Sequence, residues 1–398
     1  MTHVAFFRII FLIMERVTVD KAGENTIASG HLWVFSNEVR ERPDGLSAGE
    51  LVEVHSEKGG FLGIGYINPK SLIMIRMLSR QQVEVDQEFF ERRISNALKL
   101  REGRFEGSFR VVNAESDFLP GLIVDKYEDV LAIQLLTWGM EREKEMVLAA
   151  AERVLSPKTV VFRNESPSRQ EEGLSQYTEL VKGSVEQGMT IQVGPLRFLV
   201  DLMTGQKTGY YFDQRENRLL TKEFAAGAAV LDCFSYTCAF GLYALYFGAR
   251  SATFVDSSAK ALELGRENMR INRLSGGEFI RGDVFEFLKA SDREYNLVIL
   301  DPPSFIKSKK KVKEGEKGYI DLHKKALRRL VNGAHLFTFS CSHHMKRQRF
   351  RDVVRIAAYG KADVYLLREL SQSLDHPVVL TIPETEYLKG LILRVEKR

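Results

Sequence analysis

The stretch AAVLDCFSYTCAFGLYALYFGARSATFVDSSAKALELGRENMRINRL, residues 228–274, decides the fold. A short apolar run ends at Asp232, and FGLYALYFG (240–248) reads as a helix. SATFVD (251–256) is a second β-branched and aromatic run ending at Asp256, and SAKALELGRENMRINRL (258–274) is helical again. Strands alternating with helices at this spacing predict a parallel, doubly wound α/β sheet. Downstream, GEFIRGD (277–283), YNLVILD (295–301) and HLFTFSC (335–341) continue the strand series, and DLHKKALRRLVNG (321–333) supplies another helix. ADVYLLREL (362–370) and LKGLILRV (388–395) are further apolar runs expected to close the sheet at its edge.

Upstream the pattern is different. Residues 15–80 hold short strand-like runs, LVEVHSE, GGFLGIGYIN and LIMIRML, broken by RPDG, KGG and NPKS, which predict a small β-rich domain or barrel. Residues 86–103 return to helical spacing, with Phe89, Phe90, Ile94, Ala97, Leu98 and Leu100 expected on one face. RVVNAE, GLIVDKYEDVLAIQLL, TVVFRN and MTIQVG then predict a second β-containing unit. The expected division is an N-terminal extension 1–14, a β domain 15–80, a central α+β domain 81–194 and the doubly wound domain 195–398.

The chain has 398 residues, 44% of them hydrophobic and 28% charged, in the range of soluble globular proteins. Its net charge of +4 permits an anionic partner without demanding one. The three cysteines, Cys233, Cys238 and Cys341, cannot build a disulfide framework and fit a reducing cytoplasm. VAFFRIIFLIM (4–14) is too short to span a bilayer and lacks a basic n-region and a cleavage site, so no membrane association is expected. It reads as an upstream extension, or as the product of a start codon placed ahead of Met14.

In an open α/β sheet, ligands bind beyond the carboxyl ends of the strands. Four runs here end at acids: Asp232, Asp256, Asp283 and Asp301. Any one could simply cap the following helix, but four in succession line a rim whose carboxylates can accept hydrogen bonds from ribose hydroxyls or a base amino group. The first turn, DCFSYTCAFG, lacks the GxGxxG through which backbone amides approach a pyrophosphate. That argues against a nicotinamide oxidoreductase and remains compatible with a nucleoside ligand without phosphates, such as S-adenosylmethionine. In VILDPPSF (298–305) a strand ends at Asp301, and Pro302 and Pro303 stiffen the backbone. Phe305 is expected to cover a planar base. KSKKKVKEGEKG follows as a charged loop, where Lys307, Lys309, Lys310 and Lys311 could hold nucleic acid phosphates. In FTFSCSHHMKRQRFR (337–351) a strand delivers Cys341 to the same rim, ahead of His343, His344, Lys346, Arg347, Arg349 and Arg351. Cys341 is either a buried thiol or a nucleophile whose pKa the basic cluster lowers. No metal site is expected, because the C-x-H-H spacing suits tetrahedral zinc poorly.

GYYFDQREN (209–217), VLDCFSYTCAFGLYAL, FVDSSAKALELGRENMRIN, DVFEFL, VILDPPSFIKSKK and SCSHH together resemble the bacterial large-subunit ribosomal RNA cytosine-5 methyltransferases, which pair an N-terminal PUA domain with a class I methyltransferase domain. GHLWVFSNEV (30–39) is similar to the PUA opening, and SDFLPGLIVDKYEDVLAIQ (116–134) to the central β domain. The resemblance implies S-adenosylmethionine as cofactor, large-subunit ribosomal RNA as partner and a chain acting alone or as a homodimer. It implies that Cys341 adds to C6 of a cytosine, that Asp301 binds the cytosine edge, and that Pro302, Pro303 and Phe305 fix the base plane. Asp256 would then hold the cofactor ribose, Asp283 its adenine, and Asp232, Phe234 and Ser235 its methionine side. Tyr211, Gln214 and Arg215 would close over it, with Lys346 and Arg347 on the RNA. Two positions depart from the pattern. Cys238 and Ala239 replace glycines, and a side chain at 238 needs φ < 0 or a strained backbone and would narrow the cofactor pocket. Ser304 stands where some RNA cytosine-5 methyltransferases carry a second cysteine. Methylation of an exocyclic amine, or an assembly factor that binds RNA without catalysis, are the competing readings.

Overall fold

The computed structural model describes residues 14–398 apart from Gln187, Gln206 and Lys307, so the expected N-terminal extension lies, except for Met14, outside the described residues. The C-terminal domain carries seven strands: β1 (Ala229–Cys233), β2 (Ser251–Asp256), β3 (Gly277–Arg281), β4 (Tyr295–Leu300), β5 (Leu330–Ser340), β6 (Ala362–Leu370) and β7 (Lys389–Lys397). They form one sheet in the order β3-β2-β1-β4-β5-β7-β6. The first five strands are parallel, and β7 runs antiparallel to both β5 and β6. Of the two runs expected at the edge, only β6 lies there. β7 is interior, and its Leu391, Ile392, Leu393 and Val395 are buried.

Successive strand residues point to opposite faces, and here that alternation divides the domain into two cores. Val230, Leu297, Ile299, Phe337 and Phe339 pack under helices α1 (Ala239–Tyr246) and α2 (Ala259–Ile271). Leu231, Cys233, Val298, Leu300 and Leu336 pack under α3 (Val284–Ala290), α4 (Val312–Arg328) and α5 (Arg347–Ala358). The central strands β1, β4 and β5 are covered on both faces, and function is left to the rim at their carboxyl ends.

The central domain is a five-stranded sheet, Phe109–Asn113, Leu122–Tyr127, Val130–Leu135, Thr159–Arg163 and Thr178–Lys182 in spatial order, with helices Gln87–Arg101 and Lys144–Leu155 packed on it. The Asp86 carboxylate caps the first helix through Phe89 N at 2.8 Å. Leu100, expected on the apolar face, is 60% exposed. The buried position one step on is taken by Arg101, whose guanidinium meets both oxygens of the Asp117 carboxylate at 2.7 Å. The expected boundary at 194/195 falls in the turn of a hairpin, Thr190–Val193 with Leu196–Leu199. Ile191, Val193, Leu196 and Phe198 of that hairpin share a core with Tyr243 of α1.

The N-terminal domain is one mixed six-stranded sheet whose edge strands are Trp33–Phe35 and Val39–Glu41. Only the three-residue turn Ser36–Glu38 separates them, so connectivity brings the two ends of the sheet together. Among the described residues no helix is long and apolar enough to cross a membrane.

Candidate active site

Parallel pairing of β4 with β5, Leu300 opposite Thr338, delivers Asp301 and Cys341 from adjacent strand ends. Cys341 Sγ lies 3.9 Å from the Pro302 carbonyl oxygen, and the thiol is partly buried. Ser342 Oγ, beside it, meets Ser304 Oγ at 2.9 Å and Tyr319 OH at 3.1 Å. The hydroxyl at 304 therefore ties the DPPS turn to the Cys341 turn. Asp232 is buried at the end of β1 and accepts a hydrogen bond from Gly241 N at 2.9 Å, which joins strand to helix. Burial pushes its carboxyl up to about 7, and the nearby charges of Asp301 and Asp256 add to the shift. Burial likewise pushes Asp301 up to about 6, reinforced by Asp213.

The electrostatics at Cys341 reverse the sequence expectation. Burial, with Asp301 and Asp213 facing it, pushes the thiol up to about 11 rather than down. The basic residues that follow it do not converge on the sulfur, because α5 begins at Arg347 and its side chains radiate to acids on neighbouring elements. Arg347 bonds the Leu370 carbonyl and Glu386, Arg349 grips Glu316 of α4, and Arg351 pairs with Glu369 of β6.

On the cofactor side, Asp256 accepts hydrogen bonds from Tyr236 N at 2.9 Å and Ser258 N at 2.8 Å, and Asp283 caps α3 through Glu286 N at 3.0 Å. Both carboxylates keep acceptor capacity beyond these bonds. Phe234, Tyr236 and Cys238 all have positive φ (59°, 48° and 68°), so the turn is strained three times in five residues. Cys238 does not narrow the cofactor side. Its sulfur is buried and fills the space where a Cβ at Gly265 of α2 would sit, 2.3 Å from Sγ, so the glycine at 265 accommodates the cysteine at 238. Phe305 is not a free lid for a base: its ring packs 4.7 Å from Tyr319 and within 6.5 Å of Phe285 and Phe234. Those three phenylalanines form an aromatic wall beside Asp283. With acids at three strand ends and this wall, the donor set fits an adenosine-bearing ligand. Ser235 is buried in the same turn.

The segment before the sheet divides its predicted residues. Tyr211 stands edge-on to Tyr236, ring centroids 5.3 Å apart. Gln214 is buried near Asp301, whose carboxyl it helps to hold down. Arg215 departs from the cofactor reading: it donates to the Ser108 carbonyl oxygen and lies 4.9 Å over the Phe105 ring, both in the central domain. Its guanidinium serves the domain interface. Sequence reasoning left Asp213, Lys207, Tyr387 and Lys389 unassigned. Asp213 accepts hydrogen bonds from Lys207 Nζ at 2.9 Å and Tyr387 OH at 2.7 Å, and these donors, with Lys207 and His376 as nearby charges, hold its buried carboxyl well below the usual range. Asp213 stood inside the quoted GYYFDQREN motif, whereas Lys389 opened an apolar run and gave no polar pattern to read.

Lys309, Lys310 and Lys311 form a short exposed turn leading into α4, with no ion-pair partner among the described residues. The segment is thus half turn and half helix rather than a loop, since α4 begins at Val312. Lys346 is exposed at the start of α5. Pro302 is buried and Pro303 exposed. Lys307 lies outside the described residues.

Residues 17–80 match the family model of a PUA-like domain, and residues 172–343 match that of an S-adenosylmethionine-dependent methyltransferase. Over 392 residues the chain is 37% identical to ribosomal RNA large subunit methyltransferase I of Pseudoalteromonas atlantica, covering 96% of this chain and 99% of that protein. It is 34% identical to the protein of the same name from Escherichia coli O139:H28, with the same coverage. Among solved structures, an S-adenosylmethionine-dependent methyltransferase from Streptococcus mutans superposes with a TM-score of 0.83 at 22% identity, over 96% of this chain and 100% of its own. A methyltransferase solved in complex with S-adenosylhomocysteine gives 0.84 at the same identity and coverage. These two structures speak to the fold.

Proposed function

The chain belongs to the ribosomal RNA large subunit methyltransferase I family, and from that premise we propose that it methylates C5 of a cytosine in large-subunit ribosomal RNA, in the cytoplasm, through a covalent adduct between Cys341 and C6. What carries the reading is one distance with its surroundings. Cys341 Sγ lies 3.9 Å from the carbonyl oxygen of Pro302, the residue after Asp301, on the rim that ends in Asp232 and Asp256.

S-adenosylmethionine, when bound, supplies the electrophilic methyl group. Asp256 and Asp283 would hold its ribose and adenine, with Asp232, Phe234 and Ser235 on the methionine side and Tyr211 and Gln214 closing over it. The thiolate of Cys341 adds its electron pair to C6, which makes C5 nucleophilic. Asp301, titrating near 6, is poised to share a proton with N3 of the ring as electrons move into it. Once C5 carries the methyl group, a base takes the C5 proton, the C5=C6 double bond reforms and Sγ departs with its pair. Extruding the base costs a few kcal/mol, less in a loop than in a duplex. Lys309, Lys310, Lys311 and Lys346 are free to hold the phosphates around it.

Methylation of an exocyclic amine needs no thiolate, and the raised thiol pKa favours that alternative. Cys341→Ala separates the two. The C5 enzyme loses methyl transfer by at least ~10³-fold, whereas an amine methylase keeps most of it. Bisulfite sequencing of ribosomal RNA from cells with and without the protein should show one cytosine losing protection. Unchanged protection everywhere overturns the C5 reading.

A further inference from the structure

Lys389 opens β7, opposite Ser340 in the β5–β7 ladder, and is only 4% exposed. A buried ammonium ordinarily has a carboxylate partner, and among the described residues Lys389 forms no ion pair. Its Nζ donates to two backbone carbonyls instead, Ser342 O at 2.8 Å and Tyr387 O at 2.7 Å. An ammonium has three donors, so one remains. The first of those carbonyls belongs to the residue after Cys341, which sets the unspent charge against the turn that carries the thiol.

We propose that Lys389 is a positioning residue for Cys341: its ammonium clamps the Ser342 carbonyl, and so the turn, and supplies the counter-charge for the thiolate. This rests on the C5 reading for its catalytic meaning, and it answers a difficulty in that reading, since both carboxylates that face the sulfur oppose its ionisation. In the free enzyme the Cys341 proton passes to solvent and the lysine keeps its own three. The sulfur's electron pair then forms the bond to C6.

The charged and titratable groups around the thiol come from every neighbouring element. Asp301 follows β4, Asp213, Tyr211 and Lys207 precede the sheet, Tyr319 lies on α4, and Lys389 lies on β7. Around Lys389 itself are Cys341, Glu386, Arg347 and His343. Burial lowers the amine to about 8, so it is still charged at neutral pH, and the largest electrostatic influence favouring the charge is Cys341. Lys207 is the other cation facing the sulfur, but it is already bonded to Asp213.

The test is alkylation of Cys341 by iodoacetamide as a function of pH on the full chain. Cys233 and Cys238 are fully buried, which leaves Cys341 as the accessible thiol. Lys389→Met should slow alkylation at pH 7.5, where the amine is still charged, by about tenfold, and the two curves should meet as the wild-type amine loses its proton above about pH 8, while Lys389→Arg stays close to wild type. A role confined to packing would leave the curve in place. Superimposable curves for wild type and a folded Lys389→Met overturn the proposal. If Lys389→Met does not fold, Lys389→Gln decides, since its amide can still donate to the Ser342 carbonyl but carries no charge: alkylation at pH 7.5 should again slow by about tenfold, and a wild-type rate overturns the proposal. Neither readout involves methyl transfer, so failure here leaves the C5 reading standing, and methyl transfer retained by Cys341→Ala would reject that reading without touching the coupling.

Discussion

Two regions of this molecule treat buried charge in opposite ways. Where the central domain meets the C-terminal segment, the buried charges of Arg101 and Arg110 are matched by the carboxylates of Asp117 and Asp125. Arg101 binds Asp117 through two hydrogen bonds and reaches the Asp375 carbonyl at 2.9 Å. Arg110 grips Asp125 at 2.7 and 2.8 Å, while its backbone N–H donates to Asp375 at 3.0 Å. Asp375 also pairs with His376, and its carboxyl falls to about 2. At the rim, burial pushes Asp232, Asp301 and Cys341 up, to about 7, 6 and 11, with neighbouring carboxylates adding to the shift and no carboxylate–cation pair among the described residues to offset it. Pairing fixes the first region in one protonation state. The absence of pairing leaves the second able to exchange protons near neutrality, which acid–base chemistry requires.

If that contrast is right, mutations at the two regions should separate activity from stability. Asp301→Asn keeps the shape and removes the titrating group. It should lower methyl transfer by ~10²–10⁴-fold and leave the denaturation midpoint unchanged or raised. Arg101→Met should do the reverse, costing about 3–5 kcal/mol by stranding the Asp117 carboxylate, with the surviving folded fraction still active. Urea denaturation alongside methyl transfer from labelled S-adenosylmethionine measures both. Loss of stability in the first variant, or loss of specific activity in the folded second, breaks the comparison.

Titration sharpens it. The Asp232 carboxyl lies above its unfolded value, so between about pH 4 and 7 the native state binds more protons than the unfolded chain, and stability falls as pH rises through that window. The Asp375 carboxyl lies below its unfolded value, so its contribution is present above about pH 4 and is lost as pH falls toward 2. Asp232→Asn should therefore be more stable than wild type at pH 8 by up to ~4 kcal/mol and indistinguishable from it near pH 4. Denaturation at both pH values checks the sign. Equal gains at both would mean that packing, not charge, sets the effect.

The same contrast governs what could be read in the sequence. Strand and helix alternation was legible because each element repeats its period several times, and the rim acids were legible because a strand's end fixes its position in space. Helix α5 was hidden, since Phe350, Val353, Val354, Ala357 and Ala358 are interleaved with arginines that suggested a basic patch. The exposed Leu100 and buried Arg101 differ by one step of helical phase, a shift that only the partner Asp117 explains. Lys389 carried no sign at all: a lysine in an apolar strand reads as a surface residue until the carbonyls it binds are known. The Cys341 pKa was misjudged for a similar reason, because charge along the chain is not charge in space.

Arginines at the rim's outer edge supply the weakest test, and an informative one. Arg351 meets Glu369 at 2.7 Å, the same distance as Arg101 to Asp117, yet their side chains are 42% and 32% exposed, against 0% for both members of the buried pair. Water screens the exposed pair and salt weakens it further. Arg351→Ala should cost less than ~1 kcal/mol, and that small cost should shrink in 0.5 M salt, while Arg101→Met should change little with salt. Equal costs for the two would mean that distance rather than burial determines what a charge pair is worth in this chain. The contrast between a paired interface and an unpaired rim would then lose its physical basis.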